Sequence, residues 1–389
     1  MGVGTYAAIA LLVLMAVNVI ITIWGAGLVY PHMDRSVGLF IITPFIVSVA
    51  RLTGGLFFLY YLFLMVAIVA SFIWMLKKSF TPLSEELVVK SPARGHSPLY
   101  VIATIFMAVL SFNIIFYLFV QGSGASPTTP SFDSQELWQT IYGFAGASVW
   151  EEVVSRILLI GVPLLLVDAL LRYNNPDRKM HKLRQYVLGG GFTIGRKEAF
   201  FLVFSSIMFG AAHVFSWDVF KIFPAAVAGL AFGYLFLRLG VYAAILLHFA
   251  FDFLSVPLDV FPDSTLLTSV LGLTLIVWVV VGVPYLLLYA SKGVGWLRGK
   301  RVWPDVPKAT PQPSYGAYYG NYYAPYPPAP YVPPAPYAGG NAPPVMAPPP
   351  QNGRVRDPTA FGFTCRNCGN REALYKDGQL ICTRCGMKN

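Results

Sequence analysis

The sequence has few charged residues and few cysteines. Only 12% of its 389 residues are Asp, Glu, Lys or Arg, whereas 56% are hydrophobic, and the mean hydropathy is +0.60. This composition excludes an ordinary soluble domain, in which about a quarter of the residues are charged. The first 30 residues lack the basic start and the clear small-residue cleavage site of a signal peptide, so no cleaved leader is expected. The sequence therefore predicts an integral membrane protein.

Long apolar runs recur along the chain before Trp303, and each is long enough to cross a bilayer. They predict an all-α polytopic membrane protein with about eight transmembrane helices. The runs are Thr5–Tyr30, Gly54–Leu76, Pro98–Val120, Leu137–Leu171, Ala199–Phe215, Val219–Leu237, Val241–Val256 and Leu266–Ala290. A shorter apolar stretch, Val37–Ala50, contains Pro44 and is interpreted as a re-entrant or interfacial piece, or as the start of a longer second span.

Basic residues account for the net charge of +10, and they are unevenly distributed. Lys and Arg cluster after the second, fourth and eighth runs, whereas residues 121–136 and 257–265 contain none. Under the positive-inside rule this pattern predicts a multi-pass protein of the cell membrane with both termini in the cytoplasm. The charge indicates contact with anionic lipid headgroups, and it does not favour a nucleic-acid partner.

The end of the chain has a different composition. Residues 304–360 are rich in Pro, Tyr and Ala and lack the aliphatic content of a core, which predicts a disordered linker that acts as a spacer or as a docking site for proline-binding partners. The chain therefore divides into a transmembrane domain at 1–303, a linker at 304–360 and a small module at 361–389.

That module contains all four cysteines, in two CxxC pairs that are each followed by glycine: Cys365, Cys368, Cys382 and Cys385. Four thiolates at this spacing suit a structural, tetrahedral zinc site, and about 25 residues could hardly fold without a metal. A cytoplasmic location argues against disulfides. The module resembles a zinc ribbon. We expect it to bind a protein partner, and nucleic acid is the less favoured alternative.

Two adjacent glutamates and an arginine interrupt the fourth apolar run. A charged side chain at the centre of a bilayer costs roughly 2.5–3.5 kcal/mol on insertion scales, so such residues need partners or a watery cavity. In a helix Glu152 and Arg156 share a face and are expected to form an ion pair. Glu151 is turned about 100° away, which leaves it without a local partner and suits it to be a general base or acid.

Two of the five histidines also lie in apolar runs. His213 closes the fifth run, four residues after Phe209, and His248 lies in the seventh, where it shares a helix face with Asp252. At 1.5 Å per residue, these histidines and Glu151 lie at similar depths from the cytoplasmic edge. We therefore expect them to form one constellation.

The ordered motifs EExxxR (Glu151–Arg156), FxxxH (Phe209–His213) and Hxxx(N/D) (His248–Asp252) resemble those of the CPBP intramembrane proteases, the CAAX-processing and bacteriocin-processing group. The resemblance implies hydrolysis of a peptide bond in a membrane-embedded or lipid-anchored protein or peptide. Glu151 with His213 would activate a water molecule, and His248 with the residue four positions later would stabilise the oxyanion. The candidate catalytic residues are Glu151, Glu152, His213, His248 and Asp252, supported by Arg156 and Phe209.

The chain departs from the prenyl-processing members at Asp252, where they usually have Asn. An amide donates a hydrogen bond to an oxyanion and an ionised carboxylate does not, which puts prenylated CAAX substrates in doubt. Asp252 is therefore protonated, orients His248 or helps to bind a metal. Zinc held by the histidines and carboxylates is one mechanism, and metal-free activation of water by a glutamate and a histidine, which we favour, is the other.

Two other classes of function are compatible with these residues. Acids and histidines inside a helical bundle also mark ion pathways, so a transporter or proton relay is one alternative. The other is a non-catalytic membrane scaffold that displays the ribbon. The lack of an inverted repeat and the single cluster of charge weigh against transport.

Overall fold

The computed structural model of the chain describes residues 2–43, 45–88, 96–128, 135–177, 179–215, 217–299, 353–355, 373–376 and 379–382. Contacts divide the chain into two units, Met1–Thr310 and Pro311–Asn389. The predicted zinc ligands Cys365, Cys368 and Cys385 lie outside the described residues, as does most of the predicted linker.

The first unit is mostly helical. Its α-helices are α1 Val3–Val29, α2 Gly55–Glu86, α3 Pro98–Gly122, α4 Leu137–Gly146, α5 Val162–Asn174, α6 Leu183–Leu188, α7 Arg196–Ala212, α8 Val219–Arg238, α9 Val241–Asp252, α10 Val256–Val260 and α11 Thr265–Leu297. Two π-helical stretches, Ala147–Glu151 and Val153–Gly161, join α4 to α5, and short 3₁₀ turns follow α1 and α7.

Six helical segments of the described chain are long and apolar enough to cross a membrane, which supports a multi-pass membrane protein. They are Val3–His32, Gly55–Glu86, Pro98–Gly122, Leu137–Asn174, Val219–Arg238 and Thr265–Leu297. The other two runs in the expected set of eight fold into shorter helices, α7 with 17 residues and α9 with 12. The count of eight and the cytoplasmic placement of the termini stay predictions.

The fourth apolar run, Leu137–Leu171, folds as one continuous helical segment, Leu137–Asn174. Pro163 lies in the first turn of α5, directly after the second π-helical stretch, and a proline is tolerated in a first turn.

The stretch Val37–Ala50 folds as a β-hairpin, so its interpretation as the start of a second span was wrong. Strand β1 (Ser36–Thr43) pairs antiparallel with β2 (Phe45–Thr53), and Pro44, between them in the sequence, lies outside the described residues. β-Branched residues are frequent in both strands, which favours strand over helix. The first unit is therefore not purely α-helical.

Side-chain caps begin three of the helices. The Ser97 hydroxyl accepts from a backbone N–H at the start of α3 at 3.1 Å, Asp218 caps α8 at 2.9 Å, and Ser264 caps α11 at 3.3 Å. Each cap satisfies one of the N–H groups that the first turn of a helix leaves unpaired.

Glycines allow close packing around α8. A Cβ atom at Gly210 of α7 would lie 2.5 Å from the carbonyl oxygen of Ile222, so the last turn of α7 lies directly against the start of α8. At the other end, Gly189, Gly190 and Gly191 adopt φ angles of +70°, +84° and +77°. This conformation lets the backbone N–H of Gly190 donate to the Phe236 carbonyl at 2.8 Å, at the C-terminal end of α8.

The second unit contains three short strands in the order β3–β4–β5. They are β3 Gly353–Val355, β4 Ala373–Lys376 and β5 Gln379–Cys382, and both pairings are antiparallel. β3 lies within the segment that was predicted to be a disordered linker. β4 and β5 form a hairpin that follows the first CxxC pair in the sequence and ends on Cys382, the first cysteine of the second pair. The zinc ribbon itself stays a prediction.

Candidate active site

Glu152 is the centre of a buried polar network. Its side chain is fully buried, and its Oε2 accepts a hydrogen bond from Arg156 Nε at 2.9 Å. The other oxygen, Oε1, lies 3.0 Å from Nδ1 of His248, which donates to it. The ion pair expected from the four-residue spacing is therefore present, and it extends to a histidine that is 96 residues away in the sequence.

Arg156 is also fully buried, and its position depends on α7 and α8. Its Nη1 donates to Ser205 Oγ at 2.9 Å, and the guanidinium lies 5.1 Å from the ring centroid of Phe209 and 5.6 Å from that of Phe232. Contacts of a desolvated arginine with aromatic rings are stabilising. The Ser205 hydroxyl in turn donates to the Ser155 carbonyl at 2.6 Å, which ties α7 to the π-helical stretch.

Glu151 has a different environment from its neighbour. It is the last residue of the first π-helical stretch, and its side chain is partly exposed. Within the described part of the chain it forms no hydrogen bond and no ion pair, although it interacts electrostatically with His248 and Asp252. One carboxylate is therefore held by its partners, and the adjacent one is available to a substrate or to water.

The His213 ring has a defined orientation. It lies in the 3₁₀ turn that follows α7, and its Nδ1 is 2.8 Å from the carbonyl oxygen of Phe209. A carbonyl oxygen only accepts hydrogen bonds, so Nδ1 carries the proton and Nε2 of the neutral ring is the acceptor. The partly exposed His213 therefore presents a nitrogen that can take a proton from water.

The His248 ring is packed between aromatic rings and carboxylates. Phe232 stacks on it with centroids 4.7 Å apart and an interplanar angle of 15°, and Phe209 contacts it edge-on at 5.9 Å. Its Nε2 lies 3.4 Å from Asp252 Oδ2, one turn further along α9. His248 is thus fixed by Glu152 on one nitrogen and faces Asp252 with the other.

Asp252 has one further partner that the sequence did not reveal. The Ser148 hydroxyl lies 3.2 Å from Asp252 Oδ2 and also donates to the Phe144 carbonyl at 2.7 Å. The Asp252 side chain is 21% exposed, whereas that of His248 is 7% exposed. The polar cluster therefore has a buried layer of Glu152, Arg156 and His248, and a more accessible layer that contains Glu151 and Asp252.

The β-hairpin forms part of the wall around this cluster. Trp150 Nε1 donates to the Phe40 carbonyl of β1 at 2.9 Å, and the buried Ile42 packs against Val154 and Ala212. Trp150 precedes Glu151, and Ala212 precedes His213. The hairpin consequently contacts both helical segments that carry the proposed water-activating residues.

Sequence reasoning did not identify three residues of the cluster: Ser148, Ser205 and Phe232. Serine and phenylalanine are common in membrane helices, so neither type signals a site by itself. Ser148 could have been found, because it lies four residues before Glu152 and therefore on the same helix face. The positions of Ser205 and Phe232 depend on packing between helices.

The donor set does not fit a metal ion well. Within the described residues no group of three or more His, Cys, Asp and Glu side chains is arranged to hold one. Both oxygens of Glu152 are engaged by Arg156 and His248, and Nδ1 of His213 is engaged by a backbone carbonyl. We therefore derive no step of the chemistry through a metal.

The helices that carry the cluster resemble a known family. No curated protein and no solved structure matches the chain. Residues 133–254, which contain Glu151, Arg156, Phe209, His213 and the His248–Asp252 pair, match the family model described as type II CAAX prenyl endopeptidase Rce1-like. Over these residues the chain is therefore similar to membrane proteases of the CAAX endopeptidase type.

Proposed function

We propose that the protein is an intramembrane endopeptidase that hydrolyses a peptide bond in a membrane-associated protein or peptide. The observation that carries the proposal is the contrast between the two adjacent glutamates. Glu152 is buried in an ion pair, whereas Glu151 is partly exposed and without a hydrogen bond among the described residues. A partly exposed carboxylate, together with a histidine whose Nε2 can accept a proton, is suited to general base catalysis.

In the proposed mechanism Glu151 accepts a proton from a water molecule that is also hydrogen-bonded to Nε2 of His213. The water oxygen forms a bond to the carbonyl carbon of the substrate, and the carbonyl electrons move to oxygen. When the tetrahedral intermediate collapses, the C–N bond breaks and Glu151 returns the proton to the leaving nitrogen. The products are a new carboxyl terminus and a new amino terminus, so atoms and charge balance.

The buried layer has a positioning role in this scheme. Arg156 neutralises Glu152, and Glu152 fixes the ring of His248 through Nδ1. Asp252 lies on the other ring nitrogen, which supports the interpretation that it orients His248. Orientation of a histidine by a carboxylate is a recurring device in hydrolases.

The test uses two quenched fluorescent peptides in proteoliposomes, one with a farnesylated cysteine near its C-terminus and one with a single membrane-spanning segment. We expect wild type to cleave at least one of them, and Glu151→Gln and His213→Ala to lose cleavage. Asp263→Asn, in an exposed loop, is the control that keeps activity. Cleavage that survives both site substitutions would overturn the mechanism. A wild type that cleaves neither peptide would favour a transporter or a scaffold.

Zinc counting on the full-length chain separates the ribbon from the active site. We expect one zinc ion per chain in wild type and in His213→Ala, and none in Cys365→Ser. Two ions in wild type, with one lost in His213→Ala, would replace the metal-free mechanism by a zinc-dependent one.

A further inference from the structure

Lys221 lies beside the proposed active site, in the first turn of α8. The start of α8 is held against the end of α7 at Gly210, three residues before His213. The connection between the two helices is short, and Trp217 N donates to the His213 carbonyl at 3.0 Å. Lys221 Nζ lies 3.8 Å from the ring centroid of Trp217. The lysine is therefore placed by the same turn that carries His213.

The ammonium group of Lys221 has no hydrogen-bonded or ion-paired partner among the described residues. It lies over the Trp217 ring, and the residue is partly buried. Its charge interacts with the carboxylates of Glu151 and Asp252, and with the His213 ring. Partial burial of a cation is costly, and the Trp217 ring and these two carboxylates compensate that cost.

The other cation of the site has no such freedom. Arg156 is fully buried and its Nε and Nη1 bind Glu152 and Ser205. It therefore lies in the buried layer and compensates the charge of Glu152. Of the two cations, Lys221 is the one placed among the accessible groups.

The proposed reaction requires a donor that Asp252 does not provide. Addition of water to a carbonyl generates an oxyanion, and donors aimed at that oxygen are among the largest contributions to catalysis. An ionised carboxylate such as that of Asp252 only accepts hydrogen bonds. It also lies 3.4 Å from His248 Nε2, so it competes for the N–H that this nitrogen could offer.

We propose that the Lys221 ammonium is a catalytic group that donates to and neutralises the oxyanion of the tetrahedral intermediate. The inference rests on the proposed function, because it assigns a further residue to the same hydrolysis. Lys221 stays protonated throughout. It donates to the carbonyl oxygen as that oxygen gains the electron pair of the C=O π bond, and it releases the oxygen when the C–N bond breaks.

The primary test replaces the charge and keeps the hydrophobic stem. We expect Lys221→Met to lower kcat on the cleaved reporter peptide by about 10²–10³-fold, the effect of removing one oxyanion donor, with KM changed by less than about threefold. Lys221→Arg keeps the charge and should lose less than about tenfold. The matched control is Lys78→Met, because Lys78 also lies over a tryptophan, with Nζ 5.6 Å from the Trp74 ring, and is outside the site.

Chemical rescue distinguishes catalysis from a structural role. Lys221→Cys is treated with 2-bromoethylamine, whose carbon forms a bond to the sulfur with loss of bromide and restores a side-chain amine. We expect kcat to recover at least tenfold, while wild type treated in parallel controls for alkylation of the four native cysteines. A loss of kcat that this treatment does not reverse would make Lys221 structural and overturn the inference.

The outcomes separate the two proposals. If wild type cleaves a reporter through Glu151 and Lys221→Met is equally active, the oxyanion role is wrong and the proposed function stands. If wild type cleaves neither reporter, the proposed function falls, and the role of Lys221 falls with it.

Discussion

Exchange of each of the two adjacent glutamates for glutamine tests the division of labour between them. Both substitutions keep the size and shape of the side chain. Glu152 is fully buried and accepts hydrogen bonds at 2.9 Å from Arg156 and at 3.0 Å from His248, whereas Glu151 forms none within the described residues. The same chemical change should therefore destabilise the fold at one position and abolish cleavage without destabilisation at the other.

The magnitude for Glu152→Gln follows from its two partners. The amide offers one acceptor oxygen, so its NH₂ group faces either the Arg156 Nε–H or the His248 Nδ1–H. Removing one member of a buried ion pair costs roughly 3–5 kcal/mol, and a lost hydrogen bond to a charged group roughly 1.5–3 kcal/mol. Because glutamine keeps one hydrogen bond, we expect a loss of about 3 kcal/mol in the free energy of unfolding.

The assay is equilibrium unfolding in mixed detergent micelles, followed by the fluorescence of the eight tryptophans, alongside cleavage of the reporter peptide. Glu151→Gln should change the free energy of unfolding by less than about 0.5 kcal/mol, as is usual away from buried contacts, and should lose cleavage. In Glu152→Gln, a second change of Arg156→Met removes the uncompensated cation and should recover part of the stability.

Two results would refute this reasoning. Wild-type stability in Glu152→Gln would mean that the ion pair does not hold the site together. Equal destabilisation by Glu151→Gln, with cleavage retained, would mean that the roles of the two residues have been reversed.

Three further predictions test the framework around the site. Gly190→Ala should lower the free energy of unfolding by at least about 1 kcal/mol, because Gly190 has a φ of +84° and a Cβ atom there would lie 2.9 Å from a backbone carbonyl oxygen. Gly299→Ala is the control: its φ is +75° but no atom lies within 4 Å of the added Cβ, so it should lower the free energy of unfolding by less in the same assay. Trp150→Phe removes the indole hydrogen bond to the Phe40 carbonyl, so limited proteolysis should cut the β-hairpin faster than in wild type. Cys365→Ser should release the zinc of the tail, measured by elemental analysis, and leave membrane insertion unchanged.

Local spacing in the sequence was sufficient for several features of the site. The Glu152–Arg156 pair follows from a four-residue separation on a helix, and the isolation of Glu151 follows from its position one residue earlier. The approach of His248 to the glutamates was expected from its depth in an apolar run, and the structure shows it, whereas the approach of His213 stays a prediction. The inferences that the structure supports succeeded because helix periodicity and the cost of charge in a membrane operate within one segment at a time.

The β-hairpin and the π-helical stretches were harder to predict. An apolar stretch with a proline reads equally well as a re-entrant piece or as a strand pair, and periodicity alone does not separate them. The π-helical stretches before Pro163 are likewise not signalled by their residue types, because π-helix is rare and has no strong residue preference to set against α-helix.

The sequence by itself determined that the chain is a membrane protein and that a paired and an unpaired glutamate lie in its fourth apolar run. The tertiary structure decided that Nδ1 of His248 is engaged by Glu152, that Ser148 contacts Asp252, and that the charge of Lys221 acts on Glu151 and Asp252. The physical reason is distance along the chain. Contacts within one helix follow from its period, whereas hydrogen bonds between residues 96 and 104 positions apart depend on how the helices pack.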